Sequence, residues 1–232
     1  MNGFSGIFTD ALNIILTLDN EFYGIILLSL QVSFSAILLS CLFAIPLAAI
    51  LSIKQFKFKS IIMILINSLM ALPPVTVGLI LYLLLSSRGI FGYLDLLYSP
   101  TAMIIAQFII VSPIILGLSK KTIDNLFIIF KEYFISINAS SFMVAKTLIW
   151  ESRHELIVNG IVGLGRALSE VGAIIIVGGN IAHVTRVMTS SIVLETSRGD
   201  LSLALALGIS LIMIAILINI IIYMFYNKAS KT

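Results

Sequence analysis

Four stretches of this chain run without a single charged side chain for long enough to cross a lipid bilayer: Phe22–Ile53, Ser60–Ser87, Leu96–Ser119 and Leu201–Asn227. A helix needs about 20 apolar residues to cross ~30 Å of hydrocarbon. A fifth stretch, Leu156–Val177, is long enough as well, but it carries Arg166 and Glu170. Ionisable groups inside a span are costly, so a helix that keeps two of them faces protein or a water-filled path. The chain is 59% hydrophobic and 11% charged, against roughly 25% charged in soluble domains. The expected fold is all-α: a polytopic membrane protein with about five transmembrane helices. With the spans laid down, the 232 residues leave no room for an additional soluble domain of ordinary size, so one domain is expected.

Residues 1–21 do not qualify as a span, because Asp10, Asp19 and Glu21 interrupt them. They read as an external or interfacial amphipathic segment, and residues 22–232 as the transmembrane domain. No Lys or Arg precedes Lys54, so the first span is expected to direct its own insertion. Cys41 is the lone cysteine, which rules out an intrachain disulfide and leaves it as a small packing residue. The net charge of +3 does not imply nucleic acid, since the basic residues form no continuous run.

The placement of the basic residues orients the chain. Five spans put the termini on opposite sides, and cytosolic loops collect Lys and Arg. One set of loops holds Lys54, Lys57, Lys59, Lys120, Lys121, Lys131, Lys146, Arg153, Lys228 and Lys231; the other holds only Arg88, Arg186 and Arg198. The N-terminus is therefore expected outside and the C-terminus in the cytosol, in a bacterial inner membrane. Pro46, Pro73-Pro74 and Pro113 fall within spans and predict kinks, which serve either a moving bundle or packing alone. The segment Lys120–Glu155 is too long for a turn and too polar to span, so it is expected to carry cytosolic helices of its own.

Enzyme signatures are missing from the sequence. No Gly-x-x-x-x-Gly-Lys-Ser/Thr run occurs, and His154-Glu155 is followed by Val158 where a zinc-protease helix needs its second histidine. His183 is the only other histidine, so no metal site is expected. An intramembrane enzyme built on Glu170 or His183 would need a second converging group, which the sequence does not offer.

Two segments carry a resemblance. From Glu132 the spacing is similar to the coupling motif of ATP-binding-cassette (ABC) importer permeases, Glu-Ala-Ala-x3-Gly-x9-Ile-x-Leu-Pro, with departures at Tyr133, Phe134 and Glu151. Asn138 stands at the glycine position, and asparagine tolerates the positive φ that a tight break requires. Next, Gly165-Arg166-Ala167-Leu168-Ser169-Glu170-Val171-Gly172-Ala173, Val177-Gly178-Gly179-Asn180-Ile181 and Glu195-Thr196-Ser197-Arg198-Gly199-Asp200 closely resemble the permeases of bacterial tungstate importers. Molybdate and sulfate permeases form the broader group. The likeness is specific from about residue 132 to 208 and rests before that on topology and Ala71-Leu72-Pro73-Pro74.

This resemblance implies a type I ABC importer permease with a cytosolic coupling helix, taking up an oxyanion: tungstate first, then molybdate or sulfate. It implies no cofactor in this chain, with ATP and Mg on two partner ATPase subunits, a second copy of the permease, and an extracytoplasmic binding protein. Glu132, Asn138, Ala139, Ser140 and Ser141 would meet the ATPase. A stand-alone channel is the remaining alternative.

Arg166 and Glu170 share a helix face and can pair, either holding the pathway's resting shape or locking two helices together. Gly165, Ser169 and Ala173 repeat on that helix as a small-x3-small surface for close approach. Gly172 belongs to the same core. Gly178, Gly179 and Asn180 lie about 33 Å along a straight helix from Leu156, near the outer surface. Their N–H groups could meet an oxyanion, or they form an ordinary helix end. Arg88, Arg186 and Arg198 share the outer side and could attract a dianion, or are simply solvated.

Overall fold

The computed structural model describes residues 4–17 and 19–229, and among them it contains ten α-helices, one 3-10 turn and no strand. Lys231 and the first three residues lie outside this range. Helix α1 (Phe4–Leu16) precedes α2 (Asn20–Ile53), which Asp19 caps by accepting the Glu21 N–H. Ser29, Ser33, Ala36, Ser40, Ala44 and Ala48 line the buried face of α2. These small residues allow close approach, and α2 makes the most extensive helix pairing in the molecule with α5 (Pro100–Ser136).

The second span is not one kinked helix. It is α3 (Lys59–Met70) and α4 (Pro74–Leu85), bent by 96° across Ala71–Pro73. Each proline disfavours helical geometry in the residue before it, and Pro73 takes φ −64° and ψ 122°. Two prolines in succession therefore break the helix where one would bend it. Each piece has 12 residues, about 18 Å, so neither crosses the bilayer alone.

Helix α5 corrects a second expectation. Lys120 begins no loop, because α5 runs unbroken for 37 residues to Ser136, about 55 Å. The first charged residues mark where the apolar run stops, while the helix continues past them, with a Lys120–Asp124 pair one turn apart and Ile123 and Phe134 still buried. Only the second half of Lys120–Glu155 forms a separate helix, α6 (Ser141–Glu151).

The fifth span also divides, into α7 (Arg153–Leu168) and α8 (Gly172–Gly178), bent by 64°. The connection that follows contains a further helix, α9 (Met188–Arg198), packed along α10 (Leu201–Ala229). Three helices, α2, α5 and α10, are individually long and apolar enough to cross a membrane, and the count reaches five with each bent pair as one span. The chain is an all-helical polytopic membrane protein. One apolar cluster joins α2 to α8, and a smaller one, around Phe22, Leu168, Met188 and Leu207, binds α1, α9 and α10 to it.

Candidate functional site

The break between α7 and α8 contains no proline, and its cause is a set of side chains that take over backbone partners. Glu170 Oε1 accepts the Ala173 N–H at 3.3 Å, capping α8, and Thr189 Oγ1 donates to the Glu170 carbonyl at 2.8 Å. Ser169 Oγ donates back to Arg166 O at 2.9 Å. Groups that an unbroken helix would pair along its axis are satisfied from the side, so the bend leaves few orphans. Arg166 and Glu170 do pair, at 2.9 Å. They do so across the end of α7 and not along one continuous span.

Behind Glu170 lies a small polar cavity of about 10 Å³ lined by Ser29, Ser33, Gln107, Glu170 and Thr189 among others. Gln107 Nε2 donates to Ser33 Oγ at 3.2 Å and to Ala167 O at 3.0 Å, while its Oε1 has no partner. The N-terminus of α9 closes this cluster, its Met188 N–H donating to Ser29 Oγ at 2.8 Å. Ser29 sits about 14 Å along α2 from its start, so the connection after α8 folds well inward. Sequence reasoning missed Gln107, Ser29, Ser33 and Thr189. The available signal was a buried amide and a four-residue serine repeat within otherwise apolar runs.

The two broken spans meet through their second pieces, α4 and α8. A Cβ on Gly78 of α4 would stand 2.7 Å from the Ala173 Cα of α8, and one on Gly172 would stand 2.5 Å from Val75 Cγ2. The tight surface of α7 itself is not Gly165-Ser169-Ala173. Gly165 faces open space, and Gly160 and Gly163 approach Cys41 and Ile115 instead, because the break turns Ala173 onto another helix.

At Gly178-Gly179-Asn180 the chain closes on itself. Gly179 ends α8 at φ +70° with Tyr98 against it. Its N–H donates to Ile175 O, and the Ile181 N–H donates to Thr185 Oγ1, each at 2.9 Å. Asn180 accepts from Ser190 Oγ at 2.8 Å. Those two N–H groups are thus committed to the loop, and the 64° bend shortens the reach that a straight span would give.

The three arginines expected outside are not gathered. Arg186 lies 3.7 Å from Glu21 and Arg198 lies 3.2 Å from Glu195, at opposite ends of α9. Arg88 is exposed in a separate loop, just before the Gly92–Leu94 turn.

At the other end, α5 stops as Asn138 takes φ 50° and the Ala139 N–H returns to Phe134 O at 3.0 Å. The left-handed residue is the one for which the spacing required glycine or asparagine. Ser140 caps α6, accepting the Met143 N–H at 3.3 Å, and α6 buries Val144 and Leu148. Its other side shows Phe142 at 80% and Trp150 at 65% exposure. Asn138, Ala139 and Ser141 line a cavity of about 280 Å³ between α5 and α6, whereas Glu132 stands exposed on α5 outside it. Among the described residues no group of three His, Cys, Asp or Glu side chains could hold a metal ion.

No protein-family model matches the chain. Individual proteins do. It is 40% identical over 216 residues to the tungstate uptake system permease protein TupB of Peptoclostridium acidaminophilum, covering 93% of this chain and 95% of that one. The protein of the same name from Campylobacter jejuni is 40% identical over 149 residues, 63% of this chain and 61% of its own. A molybdenum transport system permease protein, ModB of Haemophilus influenzae, is 28% identical over 167 residues, covering 68% of this chain and 73% of that one. With a relative of this identity matched almost end to end, the broken-span bundle and its exposed α6 belong to a member of the tungstate uptake permease family of ABC transporters.

Proposed function

We propose that this chain is the membrane-spanning subunit of an ATP-driven importer for tungstate, with molybdate and sulfate as the next candidates. The observation that carries the substrate is the 40% identity over 216 residues to a permease named for tungstate uptake. A second copy of the chain completes the path, two ATPase subunits bind ATP and Mg, and an extracytoplasmic protein delivers the anion. The chain lies in the inner membrane with its N-terminus outside.

Energy enters through α6. Glu132, Asn138, Ala139, Ser140 and Ser141 form or flank the α5–α6 corner, and the exposed Phe142 and Met143 beside them supply apolar surface for the ATPase. Closure of the ATPases moves α6, and with it α2 and α5, as a rigid body. The Arg166–Glu170 break, with Gly172 and the loop at Gly178, Gly179 and Asn180, holds the resting shape of the path. Arg88, Arg186 and Arg198 set a positive potential on the outer side.

Uptake into vesicles carrying the whole complex, with the three anions in competition, tests the substrate: tungstate should displace the others at the lowest concentration, and equal competition would remove it as the first choice. Ala139→Glu should leave the complex assembled and ATP hydrolysis present while abolishing uptake. Normal uptake by this variant would move the coupling contact elsewhere.

A further inference from the structure

Between α2 and α7 runs an open groove of about 360 Å³ that takes no part in the break, the outer loop or the α5–α6 corner. Phe34 and Ile45 on α2, and Leu164 and Ile157 on α7, give it apolar walls, and Cys41 lies along its floor. Gly160 brings α7 close to α2 at this floor, since a Cβ there would stand 3.1 Å from Cys41 Sγ. From Phe34 to Ile45 the wall rises about 16 Å, which is about half the ~30 Å hydrocarbon layer. The groove thus matches one leaflet in length, and it lies toward the α6 end of α2, with Ile149 of α6 in its lining.

Among the described residues its only charged lining residue is Arg153, at the first position of α7. Arg153 is exposed, lies 4.8 Å over the Trp150 ring and donates to Trp150 O at 2.7 Å. Among the described residues no carboxylate lies within 4.0 Å of it. Trp and Arg at a span's end are placed at headgroup depth. An apolar trough one leaflet long, ending in an unneutralised guanidinium, matches one molecule that carries a hydrocarbon chain and an anion at that separation. We propose that this groove binds an anionic phospholipid, with an acyl chain along Cys41 and the phosphate on Arg153. A second copy of the chain could cover the groove, but it would have to bring both an apolar ridge and a carboxylate to Arg153.

Native mass spectrometry of the delipidated full-length permease, titrated with phosphatidylglycerol and phosphatidylcholine of identical chains, tests this. The unaltered protein should retain one phosphatidylglycerol per chain, roughly five- to tenfold more tightly than phosphatidylcholine. Arg153→Gln should erase that preference and Arg153→Lys should keep most of it. Cys41→Trp, which fills the trough, should abolish retention of both lipids; Ile157→Trp on the exposed rim serves in its place where Cys41→Trp lowers the melting temperature. Equal retention of the two lipids, a preference that survives Arg153→Gln, or lipid held by the filled groove would overturn the proposal. So would a Cys41–Cys41 disulfide formed in membranes on mild oxidation, because it would put a second copy in the groove.

Discussion

Arg166 and Glu170 divide their ion pair unequally, with 37% of the arginine side chain exposed against 4% of the glutamate. Losing Arg166 would strand a carboxylate in protein with the Ala173 N–H as its side-chain partner, whereas losing the charge on Glu170 leaves a guanidinium that can turn outward. Removing one member of a buried pair costs more than the pair contributes. Arg166→Ala should therefore lower stability by about 1–3 kcal/mol, Glu170→Gln by less, and the double variant should recover part of the loss. Thermal unfolding in detergent reads all three. If Arg166→Ala and Glu170→Gln prove equally mild, the pair is not what holds the break. The pairing itself was legible from the four-residue spacing. The break was not, because the group that completes it, Thr189 Oγ1, comes from 19 residues further along.

At the scale of elements, the spans showed themselves through charge-free runs and their internal breaks only in part. Pro73-Pro74 announced a distortion, but a 96° turn follows from two consecutive pre-proline positions together with a partner helix, α8, that accepts α4. The extension of α5 was hidden because charge reports the membrane's edge and says nothing of where a helix stops. The close-approach surface of α7 within this chain lies at Gly160 and Gly163 and not at Gly165, since a pattern read along one straight axis fails past a bend. These differences give paired expectations. Gly78→Ala places a methyl 2.7 Å from backbone of α8, so the two half-helices must separate, and both melting temperature and uptake should fall. Gly165→Ala meets nothing within 4 Å in the interior of α7 and should be neutral or stabilising by about 0.5–1 kcal/mol. Equal tolerance of the two changes would mean that α4 and α8 do not pack as closely as described.

For the whole molecule, coupling depends on which end of α2 faces the cell interior. Its N-terminal end meets the connection after α8 through the Glu21–Arg186 pair. Its C-terminal end, 34 residues away and about 51 Å distant, packs against α6 around Ile50, Ile53 and Lys54. Contacts fix these two ends as opposite and carry no information about sides. The proposed side rests on the basic residues, which cluster at the α6 end, since such a bias sets orientation through insertion and not through packing. In a Cys41→Ser background, Asn138→Cys should react with an impermeant maleimide only after the membrane is opened, while Arg88→Cys, exposed in the loop after α4, should react in intact cells. The reverse pattern would place the α5–α6 corner outside, away from any ATP, and would defeat the coupling role assigned to Ala139 even though the family membership stood.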